Sequence, residues 1–126
     1  VPMAIFSLGL MYIKGIGVPG SWNKATNLLN EAASLGVRQA FTILGELYAH
    51  KDNPKRDIPQ AYMWDHVYIH CGIAFAGVLE TVWEAIEIAK YSAKEGVRKE
   101  DVIKGKSLAK RWYQENKKLC SKMKGR

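Results

Sequence analysis

The chain has 126 residues, of which 48% are hydrophobic and 25% are charged, so it has room for one domain with a modest core. Residues 90–126 hold 13 Lys or Arg against 4 Asp or Glu, a balance of +9, and residues 1–89 carry −2. No apolar run approaches the length of about 18 residues that a membrane-spanning helix needs, and we expect no membrane span.

A motif of small, apolar and aromatic residues recurs at a spacing of 36 residues. The recurring pairs are Ala4 and Ala40, Leu8 and Leu44, Gly9 and Gly45, Tyr12 and Tyr48, Ala25 and Ala61, and Gly36 and Gly72. A single period of this length is typical of stacked supersecondary units. The sequence therefore predicts an all-α protein built as an α-α superhelix, that is, a helical solenoid.

The first predicted helix runs from about Pro2 to Lys14, because proline suits the first turn of a helix. Its predicted buried stripe consists of Ala4, Leu8, Met11 and Tyr12. Gly9 lies on this stripe, and a glycine inside a helix usually marks the close approach of a neighbouring helix. The glycine-rich stretch 15–20 predicts the turn that follows.

A second helix should follow with Ser21 as its N-cap and end at Gly36, which completes one helix pair. The second unit repeats this plan over residues 37–72, with Asp57 as the N-cap of its second helix.

The last third loses the 36-residue register but keeps helical spacing over 74–95 and again from 98 onward. The predicted inward residues of the final helix are Val102, Ile103, Leu108, Ala109 and Trp112. The predicted organisation is a repeat over 1–36, a second repeat over 37–72, capping helices over 73–116 and a frayed basic tail over 117–126.

The first unit resembles the Sel1-like repeat family, a subclass of the tetratricopeptide-like α-solenoids. The matching residues are Ala4, Leu8, Gly9, Met11, Tyr12, Gly15, Gly17, Val18, Lys24, Ala25, Ala32, Ala33 and Gly36. The second unit keeps Ala40, Leu44, Gly45, Tyr48, Asp57, Ala61, Trp64 and Gly72 but lacks the glycine pair of the turn. The resemblance implies two Sel1-like helix pairs, a C-terminal capping helix pair, a bacterial source and a role in protein–protein interaction.

In such an array the first helix of each pair lines a concave face that can contact a partner. The candidate contact residues are Ile5, Leu10, Ile13, Phe41, Glu46 and His50. Either a partner or a capping or neighbouring helix could cover the apolar members of this set. We expect a non-catalytic adaptor or scaffold that binds a protein or peptide, with a homodimer through an uncapped end as a further expectation.

The alternative function is binding of nucleic acid or an acidic partner through the basic C-terminal helix. The candidate basic residues are Lys104, Lys106, Lys110, Arg111, Lys117 and Lys118. They could neutralise phosphates, while Trp112 and Tyr113 could stack on bases.

No motif in the sequence indicates catalysis, so we expect neither an enzyme nor a cofactor. His66 and His70 share a helix face, but no third ligand follows at a recognisable spacing, and no metal site is predicted. For Cys71 and Cys120 we favour free thiols, although a bridge between them is geometrically conceivable.

The compartment depends on the start of the chain, which is Val1 rather than Met. A processed or excised product would be periplasmic or secreted if an export signal was removed, and otherwise cytoplasmic.

Overall fold

A computed structural model describes residues 1–15, 17, 20–50, 52–72 and 98–124 of the chain, and this part is all-α. Its helices are α1 (Pro2–Lys14), α2 (Trp22–Ser34), α3 (Arg38–Ala49), α4 (Ile58–Val67) with a π-helical continuation (Tyr68–Gly72), α5 (Lys99–Glu115) and α6 (Lys117–Lys124). The predicted bounds of α1 are confirmed. The helix predicted over 74–95 lies outside the described residues.

The two helix pairs, α1 with α2 and α3 with α4, begin their second helices in the same way. The Ser21 hydroxyl accepts a hydrogen bond of 3.2 Å from the backbone N–H three residues later, and the Asp57 carboxylate accepts an equivalent one of 3.1 Å. The backbone N–H of Ser21 donates to the Tyr12 carbonyl at 3.0 Å, and that of Asp57 donates to the Tyr48 carbonyl at 2.9 Å. Both predicted N-caps are confirmed.

Gly9 and Gly45 lie at close contacts between the two helices of their pairs. A Cβ atom added to Gly9 would lie 3.2 Å from Cγ of Leu29 in α2. A Cβ atom added to Gly45 would lie 2.5 Å from Oδ1 of Asp65 in α4, and Asp65 follows Leu29 by 36 residues. The predicted close approach is confirmed in both pairs.

Helix α5 packs against α4 through a third glycine. A Cβ atom on Gly105 would lie 2.6 Å from the Pro59 carbonyl oxygen, so α5 approaches the start of α4 at backbone distance. Val102 and Ala109 are buried on the same side of α5. The prediction that Ile103 faces inward is wrong, because successive residues turn by about 100° and leave this side chain 59% exposed.

The C-terminal segment is a helix rather than a frayed tail. Within α6, Met123 is buried, and its carbonyl oxygen accepts a hydrogen bond of 2.6 Å from the Arg38 guanidinium. A Cβ atom on Gly36 would lie 3.3 Å from the side chain of Leu119, which places α6 beside the connection between α2 and α3. The predicted tail over 117–126 is therefore wrong as far as Lys124.

A disulfide joins Cys71 of the π-helical turn to Cys120 of α6, with their Cα atoms 5.0 Å apart. The favoured prediction of free thiols is wrong, because α6 folds back onto the end of the second helix pair and brings the two sulfurs together.

Candidate interaction surface

The outer face of α1, defined by Ala4, Leu8 and Met11, is apolar and open to solvent. Leu8 is 39% exposed, Met11 is 36% exposed, and Ala4 is exposed as well. Their spacing places them on one side of the helix, away from the buried Phe6 and Gly9. The prediction that these three residues form a buried stripe is wrong.

The equivalent face of α3, defined by Ala40, Leu44 and Leu47, is closed. Each residue follows its α1 counterpart by 36 positions, and their exposed fractions are 0%, 0% and 3%. Helix α3 packs against both α2 and α4, whereas α1 packs chiefly against α2 in the described part of the chain. The same motif positions are thus buried in α3 of the second pair and exposed in α1 of the first.

The predicted concave residues of α1 are only partly accessible. Ile5, Leu10 and Ile13 are half-buried and pack against the core. Glu46 of α3 and His50, the C-cap of α3, are exposed, and the His50 ring lies 5.2 Å from the ring of a tryptophan in α2. Of these five residues, only the two polar ones are exposed.

Phe41 is not available to a partner, because it is fully buried. Its ring stacks on Trp64 with ring centroids 5.8 Å apart, and Trp112 meets it edge-on at 5.7 Å. The prediction that Phe41 contacts a partner is wrong. The structure instead shows the alternative, in which a C-terminal helix covers this side chain.

Most of the predicted basic residues are exposed but do not form one stripe. Lys104, Lys110, Arg111, Lys117 and Lys118 are exposed, and Lys106 is half-buried. Lys104 and Arg111 lie seven residues apart on the side of α5 opposite its buried face, and Lys117 and Lys118 belong to α6. Glu100 and Glu115 lie four residues from Lys104 and Arg111, a spacing that favours pairing and weakens attraction for an anion.

The two aromatic residues proposed to stack on bases have structural roles. Trp112 packs edge-on against Trp64, with ring centroids 6.0 Å apart. The Tyr113 hydroxyl donates to the His66 carbonyl oxygen at 2.9 Å and lies 2.8 Å from Nδ1 of the same residue. The predicted inward position of Trp112 is confirmed, and both rings are half-buried and packed against the core.

His66 and His70 share a helix face as predicted, and their rings stack with centroids 4.2 Å apart. A cleft of about 280 Å³ lies beside them, next to the disulfide. Its lining residues are His70, Tyr113, Lys117, Cys120 and Ser121. No group of three His, Cys, Asp or Glu side chains arranged to hold a metal ion occurs in the part of the chain that the structure describes.

None of the helices in the described ranges combines the length and the apolar character needed to cross a bilayer. Comparison of the chain with family models, curated proteins and solved structures finds no match. The described residues therefore form an all-α fold in which the outer face of α1 is apolar and exposed, and the Sel1-like resemblance stays a prediction.

Sequence reasoning missed the α1 outer face as a candidate contact site. The motif identifies Ala4, Leu8 and Met11 as packing positions, and it does so correctly for their counterparts in α3. The burial of such a position depends on whether a preceding helix is present.

Proposed function

We propose that this protein is a non-catalytic protein-interaction module, an adaptor or scaffold of Sel1-like type. In this proposal the two helix pairs are successive units of an α-α superhelix, and a protein or peptide partner docks on α1. The observation that carries the proposal is the open α1 outer face, whose three counterparts in α3 are 0–3% exposed.

Leaving the apolar side chains of the α1 outer face in water costs free energy. Burial of apolar surface stabilises a complex by roughly 25 cal/mol per Å², and Leu8 and Met11 still have over a third of their surface to bury. An apolar stripe on an amphipathic helix normally packs against another element. The half-buried Leu10 adds apolar surface on the side of α1 that borders the predicted concave face.

A pull-down from the native host tests this proposal with the intact chain. A Leu8→Asp, Met11→Asp variant should lose the specific partner, because two buried carboxylates would be costly at the interface. Leu10→Asp reports separately on the concave side of α1. The matched control is Asn27→Asp, which adds one negative charge on the exposed surface of α2. Retained helical circular dichroism with an unchanged partner list for every variant would reject the proposal.

A second candidate function, binding of nucleic acid or an acidic partner, rests on five of the exposed cations of α5 and α6, namely Lys104, Lys110, Arg111, Lys117 and Lys118. Phosphate binding should weaken steeply between about 50 and 200 mM salt, because cations are released from the nucleic acid. Lys104→Gln with Arg111→Gln should weaken it further. Binding that is absent, or insensitive to salt, would reject this candidate.

A further inference from the structure

The two cysteines of the disulfide differ in how far they are accessible. Cys71 is fully buried, whereas Cys120 is half-buried and lines the cleft of about 280 Å³ beside the bond. Thiol–disulfide exchange begins when a thiolate reaches one of the two sulfurs, and access helps to decide which sulfur it attacks. The cleft therefore makes Cys120 the point of attack.

One wall of this cleft consists of side chains that hold one another in place. The Tyr113 hydroxyl donates to the His66 carbonyl oxygen at 2.9 Å, and the His70 ring stacks on the ring of His66 with centroids 4.2 Å apart. The rings of His70 and Tyr113 lie 5.2 Å from each other. The opening beside the disulfide is thus a feature of the folded chain and does not require local unfolding.

The other wall is one side of α6, and it is positively charged. Lys117, Cys120 and Ser121 are three and four residues apart, which places them on the same side of the helix. Lys117 is exposed and makes no ion pair with any residue that the structure describes. Residues 116–126 include five Lys or Arg and no Asp or Glu. Such a segment attracts anionic reagents and favours the thiolate, which is the nucleophilic form of a thiol.

We propose that Cys120 is a modification site at which an anionic low-molecular-weight thiol opens the disulfide by exchange and becomes bound to α6. The size of the cleft fits a small reagent, because pockets for small molecules begin at roughly 300 Å³. The charge of Lys117 beside the reacting sulfur favours an anion.

The step needs no reactant other than the thiol. Its thiolate sulfur forms a bond to Sγ of Cys120, the bond between Cys120 and Cys71 breaks, and the Cys71 thiolate takes up the proton that the thiol had lost. Attack of the Cys71 thiolate on Sγ of Cys120 reverses the step and expels the small thiol. Helix α6 is thus detached from the π-helical turn and bound to it again with no net oxidation or reduction.

The unaltered chain provides the first test, with 2-mercaptoethanesulfonate as the anionic thiol. An acid quench stops the exchange because it removes the thiolate, and peptide mapping by mass spectrometry then locates the adduct. The adduct on Cys120 should exceed that on Cys71 about tenfold or more. An adduct shared equally, an adduct mainly on Cys71, or a bridge that opens only after urea unfolds the chain would overturn the proposal.

Two variants with a single cysteine compare the sulfurs directly. Cys71→Ser keeps only the Cys120 thiol, and Cys120→Ser keeps only the Cys71 thiol. The symmetric disulfide of 2-mercaptoethanesulfonate should modify folded Cys71→Ser about tenfold faster, and in urea the two rates should agree within about twofold. Equal rates in the folded state would overturn the proposal. If either variant loses its helical circular dichroism, peptide mapping of the unaltered chain decides.

A third comparison tests the preference for an anion, with cysteamine as a cationic thiol of the same chain length. Lys117→Glu should slow opening by the sulfonate about threefold or more at low salt, and it should accelerate opening by cysteamine. Lys118→Glu is the matched control, because it makes the same change at an exposed residue outside the lining of the cleft. Equal responses of the two thiols to Lys117→Glu, or equal effects of the two substitutions, would overturn the assignment of an anionic thiol.

Discussion

The first and second helix pairs share their N-caps, a helical glycine at the contact between their helices, and the hydrogen bond from the N-cap N–H to a tyrosine carbonyl. They differ in how much of the first helix is covered. Leu8 is 39% exposed in α1, whereas Leu44, its counterpart in α3, is fully buried. A neighbour on the other side makes the difference, since α3 packs between α2 and α4. A repeated motif thus specifies which face can pack, and the adjacent element decides whether it does.

The ends of the two pairs differ in a related way. Leu35, at the end of the first pair, is 49% exposed, whereas Cys71, at the corresponding position of the second pair, is fully buried and bridged to α6. Ile5 is half-buried, whereas its counterpart Phe41 is enclosed by aromatic rings. In the described part of the chain, the C-terminal helices close the second pair while the first pair stays open.

The largest expected difference is between Leu44→Ala and Leu8→Ala. Truncating the buried Leu44 should lower the free energy of unfolding by about 2–5 kcal/mol, because it removes core contacts and leaves a cavity. Truncating Leu8 should cost about 1 kcal/mol or less, because water already reaches that side chain. Urea unfolding monitored by circular dichroism measures both losses in the free energy of unfolding. Equal losses would contradict the difference in burial between Leu44 and Leu8.

Removal of the disulfide should affect the second pair and spare the first. Cys120→Ser should lower the free energy of unfolding by about 2–4 kcal/mol, because the bridge spans 49 residues and restricts the unfolded chain. Hydrogen exchange should accelerate in the π-helical turn and α6 but not in α1. A reductant should bring the unaltered protein to the stability of Cys120→Ser and leave that variant unchanged, whereas a reductant-sensitive variant would contradict the assignment.

Alanine substitutions at Gly9 and Gly45 should show that the helix contact at Gly45 is tighter than the one at Gly9. Gly45→Ala should cost about 1–2 kcal/mol, because its Cβ would lie 2.5 Å from Oδ1 of Asp65 and displace that carboxylate, which costs more than the gain in helix propensity. Gly9→Ala should change stability by no more than about 1 kcal/mol, because the Leu29 side chain can shift. Thermal melts of both variants provide the measurement, and a greater loss for Gly9→Ala would contradict the contact geometry.

The smallest expected difference lies at the N-caps, where the pairs are most alike. Ser21→Ala and Asp57→Ala should each cost about 1 kcal/mol, because each cap accepts one helix N–H at nearly the same distance. Urea unfolding of the two variants should give losses that agree closely. A loss confined to one of them would show that the helix starts differ in solution.

Local signals in the sequence were sufficient for the helix starts and the close approaches. Ser21 and Asp57 could be predicted as caps because a short polar side chain before an apolar stripe satisfies a free N–H. Gly9 and Gly45 could be predicted as contact points because glycine is unfavourable inside a helix unless a neighbour needs the space. Each of these inferences needs only a few consecutive residues.

Contacts between distant segments were not predictable in the same way. Phe41 is buried by Trp112, and Cys71 is bridged to Cys120, so both outcomes depend on where the last helices fold. The open α1 outer face depends on the presence or absence of a neighbour, which the composition of the face does not reveal.

Helix α6 is a different case, because the sequence did contain its signal. Leu119 and Met123 lie four residues apart in a charged stretch, a spacing that is typical of one buried helix side. Met123 is 1% exposed in the structure. The high density of lysines masked this short pattern.

The bond between Cys71 and Cys120 ties the shape of the C-terminal end to its chemical surroundings. Glutathione and thioredoxin keep most thiol pairs open in a reducing cytosol, whereas extracellular and periplasmic spaces preserve the closed form. In the closed form α6 is bound covalently, and after reduction it keeps only noncovalent contacts, which include those of Met123 and Leu119 and the Arg38 hydrogen bond. Helix α6 would therefore be held more rigidly in an oxidising compartment than in the cytosol.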